Sequence, residues 1–436
     1  MAVKPDAIVV GAGVIGSSVA YELSRSGKDV VVVDKAAGVG HGSTSASSAI
    51  IRFNYSTFDG VALAWEAYHC WAKWAEHLGI APGPGLASIN SVGSIMLDVP
   101  VMELDRTYAL LRAVGVRAEV WEPETIRARV PGIDPGKHWP PKRIDDEEFW
   151  ADSTEELWAL YMPDGGFIDD PMLAAQNLAD AAKRHGARFL FKQQVVEIIR
   201  KGDHVEGVEL ESGATIEAPI VVNVAGPWST TLNDLAGVGT DHTIAVRPMR
   251  QEVHHVTAPP GFSKDDVSMG PVVADLDLGT YMRPTKGNGF MVGGAEPECE
   301  PLQWVDDPDA VNPNRTKELF NSQVLRAARR FPGLKVPSQP KGIAGVYDVA
   351  SDWTPIYDRT ELDGFYVAMG TSGNQFKNAP VSGRLMTTLI SAVESGHDHD
   401  GDPVQYLCPH TGHTVNLGSF SRKRDLNTNS SGTVLG

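Results

Sequence analysis

The sequence predicts an α/β protein of two interleaved domains, one built on a parallel sheet and one on an antiparallel sheet. Three observations predict it. Near-continuous apolar runs at 7–10, 30–33 and 220–225 alternate with helical periodicity, the pattern of a parallel sheet covered on both faces. Short alternating strands gather between about 246 and 330, which suits an antiparallel sheet. At 436 residues the chain exceeds one compact core, so two domains are expected.

Composition narrows the function before any motif is read. The 44 glycines suit an α/β fold with many tight loops. A formal net charge of −17 argues against nucleic acid, whose phosphates need clustered Lys and Arg. It leaves a small anionic substrate open, because net charge does not set the charge inside a pocket. Cys70, Cys299 and Cys408 lie far apart without a CxxC pair, so neither a disulfide framework nor a metal site is expected. Free thiols suit a reducing, cytoplasmic setting. No run of about 18 apolar residues marks a membrane span. The apolar stretch 7–20 carries three glycines at fixed offsets and reads as strand and turn, not as a signal peptide.

Taken in order, 7–10 is a buried strand, 14–24 a helix ended by Gly27, and 30–33 a second strand closed by Asp34. A helix at 61–78 carries Trp65, Trp71 and Trp74 mainly on one side, a stripe that reads as core rather than as a cofactor box. A strand at 94–97, a helix at 101–114 and a proline-rich stretch at 131–141 open the second domain. The first resumes with a helix at 173–185, a strand at 188–191 and a hairpin-like pair at 195–199 and 205–210. The strand at 220–225 then runs into Gly226-Pro227-Trp228 and a helix with Leu232 and Leu235. Strands at 252–256, 280–283 and 289–292, with a helix at 317–331, build the antiparallel domain. Glycine-rich character returns at 342–394, and the polar end is expected to be partly disordered. The expected division is 1–90, 151–240 and 335–408 for the first domain, 91–150 and 241–334 for the second, and 409–436 for a C-terminal tail.

The chemistry begins at Gly11-Ala12-Gly13-Val14-Ile15-Gly16. Alone, GxGxxG is weak; here it joins a strand to a helix, and Asp34 ends the next strand. Gly11 permits the turn, Gly13 lets backbone approach a pyrophosphate, and Gly16 lets the helix pack closely. The helix N-terminus offers unpaired N–H groups and partial positive charge, and Asp34 accepts ribose hydroxyls. This is a Rossmann-type dinucleotide site. FAD is favoured over NAD because strands and glycine turns of one nucleotide domain occur at both ends of the chain, and no second GxGxxG exists.

Four blocks then carry a resemblance: the N-terminal βαβ unit, the stretch 42–52 (GSTSASSAIIR), the stretch 221–228, and Gly370-Thr371-Ser372-Gly373-Asn374-Gln375-Phe376-Lys377. They span 7 to about 390, most of the chain. The chain resembles the D-amino-acid oxidase and sarcosine oxidase family of flavoenzymes, which includes glycine oxidase and dimethylglycine dehydrogenase. Ile50-Ile51-Arg52 and Phe376-Lys377 point within it toward the sarcosine oxidases and their heterotetrameric β subunit.

The resemblance implies an FAD-binding domain interleaved with an α+β substrate domain. It also implies site residues. Arg52 matches the arginine that binds the substrate carboxylate, Lys377 the second carboxylate ligand, and Tyr281 an active-site tyrosine. For Tyr281 a structural place on a sheet face is the alternative. His254 and His255 lie on adjacent faces of one strand, so only one could face a pocket.

Expected flavin contacts start with Gly11, Gly13, Val14, Ile15, Gly16, Asp34 and Lys35. Hydroxyls and N–H groups of Ser43, Thr44, Ser45, Ser47 and Ser48 suit ribityl and phosphate oxygens, a flexible polar loop being the alternative. Val195, Val196, Ala225, Gly226, Trp228 and Gly345 add further contacts. Gly370, Ser372, Gly373, Asn374, Gln375 and Phe376 complete the set beside Lys377.

Departures from the family matter as much. Sarcosine oxidases attach their flavin through a cysteine; the matching position here is Val349 or a close neighbour, with no cysteine within 40 residues. The FAD is therefore expected to be non-covalent. The stretch Phe167-Ile168-Asp169-Asp170 replaces the β-subunit region that carries a second flavin on histidine. Met291 falls where a lysine promotes reoxidation by O2, leaving Lys286 nearby.

The expected activity is oxidation of the C–N bond of a small N-alkyl amino acid, by hydride transfer to FAD and hydrolysis of the imine. The electron acceptor is O2 or another acceptor. The alternatives are a dehydrogenase of a D-amino acid or 2-hydroxy acid, and a flavin subunit of a larger amine oxidase. A homo-oligomer or larger complex is compatible with the sequence; no metal, nucleic acid or membrane is expected.

Overall fold

Valine-rich runs without polar alternation must be covered on both faces, and the fold covers them. The computed structural model describes residues 4–435. Strand β1 (Ala7–Val10) lies at the middle of a six-stranded sheet, parallel to β2 (Val30–Asp34) on one side and to Ile220–Asn223 on the other. Arg188–Phe191 and Phe365–Met369 extend it in parallel, and Ile356–Arg359 closes one edge antiparallel. Helix α1 (Val14–Arg25) joins β1 to β2 and packs against the helix Ala379–Glu394. The approach is close: a Cβ on Gly383 would meet the Ser18 carbonyl at 2.2 Å.

The second sheet has eight strands, ordered Gly342–Ala350, Val246–Thr257, Gly289–Gly294, Thr280–Thr285, Val272–Asp275, Ser94–Leu97, Ala159–Met162 and Glu119–Trp121. All neighbours are antiparallel except Val272–Asp275 beside Ser94–Leu97. The helix Lys317–Arg330 covers one face with Phe320, Val324 and Ala327. The other face, which carries Tyr281, Ala274 and Met249, joins the core of the first domain. Two strands, Ala159–Met162 and Gly342–Ala350, belong to this sheet although the sequence reading put both spans in the nucleotide domain. Neither carries a local mark of its sheet; long-range pairing decides it.

Two other expectations change. The tryptophan helix is two pieces, Phe58–Ala72 and Trp74–His77, broken at Lys73. The last segment is ordered through residue 435: Gln405–Leu407 pairs with Thr414–Asn416, and Val434 and Leu435 are buried. Arg422 anchors it by ion pairs to Asp241, Asp358 and Asp400. Polar composition misled here because paired charges bury as well as apolar groups do. Among the described residues no helix is long and apolar enough to cross a membrane.

Candidate active site

A cavity of about 360 Å³ runs between the two sheets, from Asp34 past the glycine turn to Lys377. At its nucleotide end the glycines are sterically required. Gly11 has φ of +115°, and a Cβ there would sit 2.3 Å from the Val224 carbonyl. A Cβ on Gly16 would meet the Gly11 carbonyl at 1.9 Å, so α1 can start against the turn only without one. Gly13 faces Thr44, whose Oγ1 accepts from the Val14 N–H at 3.0 Å. Asp34 takes backbone N–H groups from Ala12 at 2.6 Å and Ala36 at 2.7 Å, which aims its carboxylate along the wall.

The outer part of this end is closed by the expected Lys35 and Trp228 together with Asp309, which sequence reasoning missed. Lys35 Nζ stands 4.0 Å from the Trp228 ring centroid and pairs with Asp309 at 2.6 Å. Asp309 comes from the second domain, far from any nucleotide motif, and gave no signal. The Trp228 indole N–H is buried without a partner on this wall.

The hydroxyl-rich block divides. Ser43, Thr44, Ser47 and Ser48 line the cavity, whereas Ser45 is exposed and donates to the Gly42 carbonyl at 2.8 Å. Val195 lines the cavity while its neighbour Val196 points outward, as alternation along a strand requires. Ile15, Ala225, Gly226 and Trp228 are on the wall. Three other expected contacts stand off it. Gly345 packs under Ala46, Gly370 under Ala350, and the Ser372 hydroxyl donates to the Gly370 carbonyl and accepts from the Ala350 N–H. They shape the turn that presents Gly373, Asn374, Gln375, Phe376 and Lys377 to the cavity.

At the other end Arg52 and Lys377 are both buried, and neither has an ion-pairing carboxylate among the described residues. Arg52 donates to the carbonyls of Asn54 and Val434, each at 2.6 Å. Lys377 donates from Nζ to the Asn374 carbonyl and lies 4.7 Å from the Tyr55 ring centroid. Burial, with the Arg52 charge added, holds its pKa well below that of an ordinary lysine. Trp71 fixes this turn, its indole donating to the Lys377 carbonyl at 2.7 Å. The stripe read as core thus also positions the site.

Tyr281 shares a hydrogen bond of 2.8 Å with Ser48, and burial pushes its phenol up to about 12. It lies over Gly293, where a Cβ would come within 2.3 Å of its ring. Tyr347, not singled out from the sequence, lies likewise over Gly373. Glu296 was also missed. Its only local mark is the first acid of Glu296-Pro297-Glu298-Cys299-Glu300, after Gly293-Gly294-Ala295; it is buried and accepts the Val434 N–H at 2.7 Å. His254 is fully buried against Glu252 and Phe320, and neither it nor His255 reaches the cavity. Met291 is buried beside Arg283, also off the wall. None of the three cysteines lines the cavity.

These features fit FAD. Glycine-turn backbone and a helix N-terminus suit the pyrophosphate, Asp34 the ribose, and the unpartnered Trp228 N–H gives a polar donor on the adenosine side. Comparison with known proteins agrees. The chain is 25% identical over 430 residues to FAD-dependent oxidoreductase domain-containing protein 1 of Bos taurus, covering 89% of this chain and 81% of that protein. It is 24% identical to glycine oxidase of Geobacillus kaustophilus, covering 90% and 94%. The fold superposes on L-proline dehydrogenase from P. horikoshii with a TM-score of 0.75 at 22% identity, covering 97% of both chains. The model of the family described as FAD dependent oxidoreductase matches residues 6–389, and with that span this chain belongs to the family and uses FAD.

Proposed function

We propose that the protein oxidises the C–N bond of a small amino acid, with a secondary or tertiary N-alkyl amine of sarcosine type as preferred substrate. The observation that carries the reading is the pair Arg52 and Lys377, two buried basic side chains at one end of the FAD cavity without a carboxylate partner among the described residues. Buried charge without a counter-charge is unfavourable, and a substrate carboxylate relieves it. The Arg52 fork suits a carboxylate, and Lys377 adds a point charge. Tyr281 and Tyr347 stay neutral at working pH, so their hydroxyls can hydrogen-bond the substrate. Bound FAD supplies the two-electron acceptor. With a neutral amine bound, no side chain has to act as base, and the chain's work is orientation and exclusion of water. Cytoplasmic residence belongs to the same reading, supported by three unpaired cysteines.

Anaerobic mixing with N-methylglycine, N,N-dimethylglycine, proline, glycine and lactate tests the assignment through loss of flavin absorbance. The N-alkyl amino acids are expected to bleach fastest. Bleaching by lactate alone would replace the reading with a 2-hydroxy-acid dehydrogenase.

One observation favours an acceptor other than O2. Apart from Arg52 and Lys377, both assigned to the carboxylate, no cation among the described residues lines the substrate end. Reduction of O2 passes through an anion that positive charge stabilises. Stopped-flow mixing of the reduced enzyme with O2 is expected to show slow reoxidation; fast reoxidation makes it an oxidase.

A further inference from the structure

Val434 joins two buried groups that no other residue joins among the described residues. Its N–H donates to Glu296 Oε2 at 2.7 Å and its carbonyl accepts from Arg52 Nη2 at 2.6 Å. The two atoms belong to one residue and are separated by Cα and the carbonyl carbon. That is the path between amine and carboxylate in any α-amino acid. Val434 and Leu435 both line the cavity, whereas Glu296 is off its wall and meets it through the Val434 N–H.

Glu296 is built for such a contact. Gln251 Nε2 holds its Oε1 at 2.7 Å, which leaves Oε2 facing Val434. It adopts φ of +44°, a left-handed conformation that non-glycine residues rarely take and that clusters at ligand-holding sites. No Lys or Arg among the described residues pairs with it, and burial pushes its carboxyl up to about 8. A buried acid with no cation of its own is a receptor for an ammonium or an N–H group.

We propose that Glu296 receives the amine of the substrate, and that the 433–435 segment occupies the substrate's place as a pseudosubstrate until an α-amino acid displaces it. This rests on the amino-acid reading above and deepens it. A carboxylate with no donor at that position, such as acetate, would engage Arg52 but give Glu296 no N–H, so Glu296 selects amino acids over plain carboxylates. Such selection is strong where a site's buried polar group is left unpaired.

The test is hydrogen exchange on the full-chain holoenzyme, followed in the peptide that contains 431–435, with N-methylglycine, proline or acetate. The amino acids are expected to raise its exchange about tenfold, the equivalent of one hydrogen-bonded contact, and acetate to leave it unchanged. Glu296→Gln should raise the dissociation constant for N-methylglycine about tenfold, read from the flavin spectrum, and spare acetate. Val434→Pro removes the N–H and should tighten amino-acid binding. Bleaching of the flavin by an amino acid that leaves the segment's exchange unmoved overturns the proposal and spares the function. Raised exchange without bleaching by any amino acid does the reverse. Equal weakening of both ligands by Glu296→Gln reduces Glu296 to a structural role.

Discussion

At its nucleotide end the cavity has a wall of backbone drawn from one βαβ unit, with Gly11, Gly13, Gly16 and Asp34 inside a single short stretch, and side chains close its outer part. At its substrate end the wall is side chain: Arg52, Tyr281, Tyr347 and Lys377 converge from separate stretches, and the Val434 carbonyl meets Arg52 from 382 positions away. A diphosphate needs little more than N–H groups, and a helix N-terminus supplies them wherever a chain can turn tightly. A carboxylate pocket needs buried charge held without a partner, which no single stretch stabilises and which the rest of the fold must enforce. One end is a motif, and the other is an assembly.

Substitutions can break that comparison at either end, and they differ in size. Gly16→Ala should have the largest effect. Its Cβ would fall 1.9 Å from the Gly11 carbonyl, and backbone cannot yield as a side chain can. The purified protein should lack flavin absorbance, a clash of about 3 kcal/mol or more; full flavin content would mean the turn is not part of the site. Arg52→Ala comes next. It should weaken carboxylate ligands by ~2–5 kcal/mol while flavin content stays normal. Unchanged affinity by flavin titration would remove Arg52 from the pocket.

Asp34→Asn keeps the shape and removes the charge that takes N–H groups from Ala12 and Ala36. Charged hydrogen bonds contribute about 1.5–3 kcal/mol, so FAD affinity should fall by one to two orders of magnitude in an equilibrium titration. Ser372→Ala should do least. Two hydrogen bonds that shape the 370–373 turn are lost, at about 1 kcal/mol of stability in denaturant unfolding. A change in substrate affinity without a change in stability would show that the hydroxyl reaches the ligand.

The nucleotide end was legible because its constraints are local. Gly11, Gly13 and Gly16 at fixed offsets, with Asp34 closing the next strand, state a geometry in one line of sequence. The substrate end was legible only where a resemblance supplied it, at Arg52, Tyr281 and Lys377. Tyr347 and Glu296 were not, since a tyrosine in an alternating strand and one acid among three after glycines carry no mark that sets them apart. Ser45 and Val196 were included because a block was read whole; their neighbours reach the cavity and they face away.

From the sequence alone came the α/β class, the parallel strands, the helix that starts at the glycine turn, and the FAD expectation. Each of these elements is marked by local pattern, where propensity and periodicity act directly, even though 7–10 pairs with 220–223 across more than 200 positions. Only the tertiary structure decided that Gly342–Ala350 joins the antiparallel sheet, that Arg422 anchors the last segment, and that Val434 sits between Arg52 and Glu296. Those depend on burial and on charges meeting across hundreds of positions. The physical reason is that the burial and desolvation of Arg52 and Glu296 exist only once the chain has closed around them.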